Sequence, residues 1–224
     1  MNNKLKLRAF TLAEVLITLG IIGVIAAMTI PTLVTKYQIK VLQAGFNRMD
    51  KQIRDALVEL QFENNTDDFF KMASNAGLAQ NTRYSEMFYK KFNITDTLSN
   101  KYFQNMECPK GYSGKEQECL VNGFYLKPRQ ILKDGATIYF LINSWKSYIC
   151  FDTNGPYKGP NRLGYDTFII ITRTARNLGE EYNDPEYCSV NSDSTQNGWS
   201  CYYYAKNDIN PDDTTQRYWE NLKF

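Results

Sequence analysis

The sequence predicts an α+β protein with a long N-terminal helix and a small antiparallel β-sheet head. Three observations support this prediction. Residues 15–35 form a run of 21 without a charged side chain, and about 20 helical residues cross the ~30 Å hydrocarbon core of a bilayer. The apolar residues that follow recur with helical periodicity to about residue 62. Beyond residue 119, segments rich in Ile, Tyr, Phe and Thr are separated by Asp-Gly and Asn-Gly turns, which is typical of antiparallel strands.

The charges before the apolar run predict its orientation. Lys4, Lys6 and Arg8 precede it, and such a basic flank stays on the cytoplasmic side of the membrane, so the rest of the chain is expected outside. A cleaved signal peptide, with a small-residue site at Val24–Ala26, and a plain single-pass anchor both fit this pattern. Neither accounts for Glu14, because a carboxylate within an apolar helix costs on the order of 2.5–3.5 kcal/mol at the bilayer centre.

The stretch AFTLAEVLITLGIIGVIAAMTIPTL resembles the N-terminal segment of type IV pilins and of type II secretion pseudopilins. In that family, prepilin peptidase removes a short basic leader and the new N-terminal phenylalanine is N-methylated. The resemblance implies a leader of residues 1–9, with cleavage between Ala9 and Phe10. Glu14 is then the fifth residue of the mature chain and Pro31 the twenty-second, as in the family. Ala9 stands where the family usually has glycine.

The same resemblance implies a structural subunit of a type IV pilus-like or type II secretion filament, in which residues 10–35 form the membrane-spanning and filament-core helix. The expected partners are prepilin peptidase, other pilin or pseudopilin subunits, the inner-membrane assembly platform and, before assembly, membrane lipid. The expected location is the bacterial cytoplasmic membrane, as a single-pass protein with an exported head, and then a periplasmic or cell-surface filament. Glu14 and Pro31 are the expected assembly residues. The Glu14 carboxylate is expected to pair with the Phe10 amine of a neighbouring subunit, which offsets the desolvation of both charges and specifies the axial register.

An amphipathic continuation of the helix is predicted over residues 36–62. Its apolar residues recur at spacings of 3, 4, 3, 4, 4 and 3, and charged residues occupy the other faces. The residues of this apolar stripe are Ile39, Leu42, Phe46, Met49, Ile53, Leu57 and Leu60. A coiled coil is the alternative, although the stripe is barely three heptads long. In the family this half of the helix lies across the sheet of the head, so the resemblance implies a pilin-like fold.

The remainder divides into a connecting region and a head. Residues 63–118 are predicted to form short helices and loops, in the segments NNTDDFFKMASNAGL, TRYSEMFYKKF and ITDTLSNKYF. Residues 119–224 are predicted to form the sheet head, a meander of three or four strands with disulfide-closed C-terminal loops. Phe168–Ile171 is apolar on both faces, which predicts a central strand. A short helix is expected from Thr214 to Trp219.

All five cysteines lie in the predicted exported part, where the compartment is oxidising, so disulfides are expected. The local pairings are Cys108 with Cys119 and Cys188 with Cys201, each of which closes a loop of about a dozen residues. Other pairings stay open. Cys150, between Ile149 and Phe151 in a predicted strand, is expected to remain a buried thiol.

The segment FDTNGPYKGPNRLGYD contains a cluster of oxygen ligands, Asp152, Asn154 and Asp166. Calcium accepts such ligands, and the loop is similar to the calcium loop of some major pseudopilins. A turn that uses these side chains for local backbone hydrogen bonds explains the same residues. The metal prediction is therefore none, with calcium at these three residues as the alternative.

Composition argues against catalysis and nucleic-acid binding. The chain has no histidine, which removes Ser-His-Asp triads, Cys-His dyads and HExxH zinc sites. Carboxylate-only glycosidases escape that objection, but no paired-carboxylate constellation is evident. The 26 basic residues nearly balance the 24 acidic ones, so no nucleic-acid partner is expected. The alternative function is a minor or tip pilin that acts as an adhesin or ligand-binding module through Trp199, Tyr202–Tyr204 and Trp219. These aromatic residues are otherwise predicted to fill the core.

Overall fold

A computed structural model describes residues 11–75, 81–99, 108–116, 120–121, 124–125, 129–142 and 146–224. The protein is α+β. It has one long N-terminal helix, α1 (Leu12–Glu63), and two short helices that follow it, α2 (Phe69–Asn75) and α3 (Asn81–Tyr89). Helix α4 (Cys201–Asn207) and the 3₁₀ turns Pro185–Cys188 and Trp219–Asn221 lie in the C-terminal part. The strands are β1 (Ile94–Thr97), β2 (Leu120–Val121), β3 (Phe124–Tyr125), β4 (Gln130–Leu132), β5 (Thr137–Ile142), β6 (Ser147–Asp152) and β7 (Thr167–Thr172).

Helix α1 has 52 residues, which corresponds to a rod about 78 Å long. Its two halves have different surroundings. The first half, to Val41, has almost all of its side chains exposed, whereas the second half buries one stripe against the head. Six of the seven residues of the predicted stripe are buried, and Ile39 is half-buried at its end. The predicted amphipathic helix is therefore confirmed, and its partner is the sheet.

The main sheet has the strand order β1-β4-β5-β6-β7, with every neighbouring pair antiparallel. Strands β5 and β6 pair over their full length, with Tyr139 opposite Cys150. The β4–β5 hairpin turns at Asp134-Gly135, where Gly135 has a φ of +86° that only glycine adopts readily. Strands β2 and β3 form a separate two-stranded sheet. The meander that the sequence predicts is β4 to β7.

The core lies between α1 and one face of the sheet. Phe46 is at its centre, with its ring centroid 4.7 Å from Phe168, 5.4 Å from Trp219 and 5.7 Å from Tyr202. A smaller apolar cluster on the other face of the sheet contains Cys150, Ile169, Ile171 and Trp199. The sheet is thus a middle layer, because the C-terminal segment covers the face that α1 leaves.

Three sequence predictions about the head are wrong. Ile94–Thr97, predicted within the helical and loop connecting region 63–118, is strand β1, which pairs with β4 at the edge of the sheet. The β-branched residues of ITDT favour extended backbone, and pairing with β4 satisfies its hydrogen-bonding groups. Strand β7 ends the described strand order and is not central. Its residues are apolar on both faces because α1 covers Phe168 and Ile170 on one side and the C-terminal segment covers Ile169 and Ile171 on the other.

The third correction concerns the C-terminal helix. Residues 214–218 form turns and irregular structure, and a 3₁₀ turn begins only at Trp219. The helix lies earlier in the chain, at α4, where three consecutive tyrosines gave no periodic signal. Its position is determined by tertiary contacts, since Tyr202, Tyr204 and Ala205 are buried against the core.

Candidate functional site

Most of the exposed large apolar side chains among the described residues lie on the first half of α1. Among the described residues, α1 is the one helix that contains a segment long and apolar enough to cross a membrane. None of that apolar segment is buried in the chain. Monomeric soluble proteins rarely expose an apolar surface of this extent. The first half of α1 is therefore long and apolar enough to span a membrane, and it needs an apolar environment.

Three threonine hydroxyl groups in this half form hydrogen bonds within the helix. The hydroxyl groups of Thr18, Thr29 and Thr35 donate to the carbonyls of Val15, Ile25 and Pro31 at 2.9–3.1 Å. Pro31 lies inside the helix and removes one backbone donor. Backbone and hydroxyl donors that bond within the helix are compatible with an apolar surrounding.

Glu14 belongs to the N-terminal cap of α1. Thr11 is the N-cap, and its hydroxyl accepts a hydrogen bond from the Glu14 amide at 3.2 Å. Glu14 Oε2 in turn accepts from the Thr11 amide at 2.8 Å and the Thr11 hydroxyl at 2.9 Å. This is a reciprocal capping box, which the sequence analysis missed although Thr-Leu-Ala-Glu carries its signature. Both of these bonds use Oε2, so Oε1 has no hydrogen bond among the described residues.

The other predicted residues of this region lie elsewhere. Ala9 and Phe10 are outside the described residues. Pro31 is on the same helix as Glu14 but 17 residues further on, about 26 Å along the axis. The two residues therefore act at different depths of the apolar segment.

Two polar links join α1 to the head. Arg48 donates to the carbonyl of Thr153 at 2.8 Å and forms an ion pair with Asp134 at 3.2 Å. Further along, Arg54 pairs with Asp50 at 2.9 Å and donates to the Tyr202 hydroxyl at 2.8 Å, and that hydroxyl donates to Asp50. Both links cross from the helix to a different part of the head, so they fix the rotation of α1 about its axis.

Gly45 permits the close approach of α1 to the β6–β7 loop. A Cβ atom at this position would lie 3.0 Å from the Cβ of Thr153, which is buried. Gly45 was not among the predicted site residues. The sequence offered one signal of this contact, because a glycine in the middle of a helix lowers helix stability and usually has a packing reason.

The structure brings Asp152 and Asp166 together and buries both. Asp152 Oδ1 accepts from the amides of Asn154 and Gly155 at 3.0 and 2.9 Å. The two oxygens of Asp166 accept from the amides of Asn161 and Arg162, each at 2.8 Å. Both carboxylates therefore organise the backbone of the loop in the way that local turns use aspartate.

Burial raises the pKa of Asp152 to about 7, with a further contribution from the charge of Asp166, and burial raises the pKa of Asp166 to about 6. The third predicted ligand, Asn154, donates through Nδ2 to the carbonyl of Gly159 at 3.1 Å. Among the described residues, no group of three or more Cys, Asp or Glu side chains is arranged to hold a metal ion. Turn formation accounts for the backbone hydrogen bonds of the two carboxylates.

The disulfide Cys188–Cys201 is present, as predicted for a local pair. It joins a 3₁₀ turn to the start of α4. In the other predicted pair, Cys108 is disulfide-bonded, and Cys119 lies outside the described residues. The Cys150 thiol is buried and not in a disulfide, and its burial, with the charge of Asp152, raises its pKa.

The aromatic residues that suggested a binding surface are in the core. Trp199, Tyr202, Tyr204 and Trp219 are buried, and Tyr203 is half-buried. The Trp219 indole N–H donates to the carbonyl of Ala205 at 3.1 Å, and the Tyr204 hydroxyl donates to the carbonyl of Asn183 at 2.6 Å. These rings contribute to the apolar core of the head.

Comparison of the chain with protein-family models, curated protein sequences and solved structures finds no match.

Proposed function

We propose that this chain is a structural subunit of a pilin-like or pseudopilin-like filament, processed by a prepilin peptidase and assembled through the first half of α1. The observation that carries the proposal is the fully exposed apolar half of α1 with one carboxylate, Glu14, at its start. A membrane accounts for the apolar surface before assembly. Neighbouring copies of the same helix account for it afterwards.

The cap geometry supports a role for Glu14 between subunits. Its Oε2 is held by Thr11, whereas Oε1 accepts no hydrogen bond from the part of the chain that the structure describes. After cleavage before Phe10, the new amine of a neighbouring chain can donate to Oε1 and neutralise the carboxylate. A subunit displaced along the axis would leave this charge buried without a partner, at a penalty of several kcal/mol. Glu14 then selects one register among the many that apolar packing alone would allow.

The head supports the same function. It is fastened to α1 by the core around Phe46 and by the two polar links, so the helix and head move as one body. Such a unit can repeat through one heterologous contact, and a heterologous contact that does not close into a ring generates an open filament. In this proposal the protein catalyses no reaction, its precursor resides in the cytoplasmic membrane and its head is exported.

N-terminal sequencing of the protein isolated from membranes tests the processing step. N-methylphenylalanine at Phe10 is the expected terminus. A start near Ala27 would indicate an ordinary signal peptide, and an intact Met1 in cells that contain the peptidase would indicate a plain anchor. Either result overturns the proposal.

Filament assembly tests the role of Glu14. The Glu14→Ala and Glu14→Gln variants are expected to be processed normally but to yield few filaments in sheared material, because neither carries the charge. Glu86→Ala removes an exposed carboxylate of α3 and is the matched control, with assembly unchanged. Normal filament yield from Glu14→Ala would remove the proposed register mechanism.

A further inference from the structure

A groove of about 690 Å³ lies where the exposed half of α1 meets the head. One wall is α1, and the other is the C-terminal segment near the 3₁₀ turn Trp219–Asn221. The residues that matter for its chemistry are Lys36, Tyr37, Lys40, Arg217, Trp219 and Glu220. Trp219 forms an apolar wall, because its indole N–H is already bonded to the carbonyl of Ala205.

The charge in this groove is unbalanced. Lys36 and Lys40 are one helical turn apart, so their side chains lie on the same face of α1. Arg217 is held by Asp208 at 2.6 Å and by Glu220 at 2.9 Å. By contrast, no carboxylate of the described residues forms an ion pair with either lysine. Two ammonium groups are therefore available to an anion.

The position of the groove along α1 indicates which anion reaches it. The uncharged run before Lys36 has 21 residues, about 32 Å of helix against a hydrocarbon core of about 30 Å. Lys36 and Tyr37 therefore lie at the level of the headgroups on the exported side. Lysine and tyrosine are residue types that favour this interface, and Leu33, which is 69% exposed, extends the groove toward the acyl chains.

We infer that this groove binds the phosphate group of an anionic membrane lipid in the exported leaflet, through Lys36 and Lys40. The inference rests on the membrane placement in the proposed function but not on filament assembly. A lipid phosphate is favoured over the apolar helix of a second copy, because the latter would bury both ammonium groups without a partner. The bound lipid holds the subunit at a defined depth before assembly.

Lipid binding to the full-length protein in non-ionic detergent micelles tests the inference. The probes are dioctanoyl phosphatidylglycerol, dioctanoyl phosphatidylcholine and inorganic phosphate, and native mass spectrometry measures the bound fraction. A basic residue near an anionic membrane surface changes affinity about fivefold, so loss of two lysines is expected to weaken phosphatidylglycerol binding about 25-fold. Binding of phosphatidylcholine is expected to be weaker and unchanged by the variant.

The variants are Lys36→Gln/Lys40→Gln and, as a charge-matched control, Lys71→Gln/Lys158→Gln, which removes two exposed lysines of the head. The control is expected to bind phosphatidylglycerol like the wild type, and Lys36→Arg/Lys40→Arg is expected to retain the preference. Equal losses in both glutamine variants would show an effect of net charge alone and overturn the inference. Inorganic phosphate that binds as tightly as the lipid, or self-association in place of lipid binding, would also overturn it.

The lipid-binding experiment and the filament experiments can fail independently of each other. Normal lipid selectivity in the Lys36→Gln/Lys40→Gln variant, together with an assembly defect in Glu14→Ala, would reject the lipid site and leave the proposed function. Lost selectivity in the double variant, together with an unprocessed N-terminus, would retain the lipid site on a plain membrane anchor.

Discussion

Replacement of Phe46 by alanine tests whether α1 and the head form one cooperative unit. The Phe46 side chain is 1% exposed and contacts rings from β6, β7, α4 and the C-terminal 3₁₀ turn. A buried Phe→Ala change removes the transfer free energy of the ring and leaves a cavity, which together cost about 3–5 kcal/mol. The rigid sheet on one side and the disulfide-linked segment on the other limit collapse of that cavity, so we expect about 4 kcal/mol.

Phe62→Ala is the matched control. Phe62 is on the same helix but its side chain is 87% exposed, and surface substitutions usually change stability by less than about 0.5 kcal/mol. Phe46→Leu retains most of the volume, and its expected cost is about 1–1.5 kcal/mol. The difference between Phe46→Ala and Phe62→Ala therefore reports burial, because the same side chain is removed in both, and the difference between Phe46→Ala and Phe46→Leu reports the volume removed.

Urea denaturation of the full-length protein in detergent micelles measures these differences. Tryptophan fluorescence follows the head, because Trp199 and Trp219 are both buried there, and circular dichroism follows the helix. Coincident transitions are required for a two-state treatment. Equal destabilisation by Phe46→Ala and Phe62→Ala, or a change below about 1 kcal/mol for Phe46→Ala, would refute the assignment of Phe46 to the centre of the core.

Three further changes are expected to give measurable effects. Tyr202→Phe removes the hydroxyl between Asp50 and Arg54 and should cost about 1.5–3 kcal/mol in urea denaturation, since hydrogen bonds to charged groups are strong; Tyr203→Phe should be neutral. Cys188→Ser/Cys201→Ser opens a link with a sequence separation of 13 and should cost about 3 kcal/mol; reduction of the wild type, which also opens the disulfide of Cys108, should cost more. Asp152 has a pKa raised from 3.8 to about 7 in the fold, so the folded state binds its proton more tightly than the unfolded state. The free energy of unfolding should therefore fall as the pH rises from about 4 to about 7. Because burial also raises the pKa of Asp166, Asp152→Asn should reduce that dependence without abolishing it; parallel curves for wild type and variant would contradict this expectation.

The helix and its packing face could be predicted because local periodicity and burial coincide there. Ile39 to Leu60 recur at helical spacing, and the structure buries that stripe. The hairpin at Asp134-Gly135 could also be predicted, because the turn needs a positive φ that glycine adopts readily. Strand β1 (ITDT, four residues) and helix α4 (seven residues) could not be predicted, because such short segments do not show enough periodicity to distinguish strand from helix.

The candidate site residues also divide into those that the local sequence predicts and those that it does not. The Glu14 carboxylate stood out because a charge in an apolar run is costly, and the capping box was readable from Thr11 and Glu14 alone. The partnership of Lys36 and Lys40 with Arg217 and Trp219 was not readable, since about 180 residues separate the two walls of the groove. The same holds for the Tyr202 hydroxyl, which meets Asp50 and Arg54 across 148 to 152 positions.

The sequence by itself determined the apolar half of α1, its amphipathic continuation and the composition of the strands, because these depend on side chains that are neighbours on one helix or strand. Only the tertiary structure decided that β7 ends the described sheet, that the aromatic residues fill the core, and that Asp152 and Asp166 are both buried at the ends of the β6–β7 loop. The physical reason is that burial and long-range pairing depend on which segments meet in space. Local patterns indicate which side chains of a segment can be buried. The tertiary structure determines which other segment buries them.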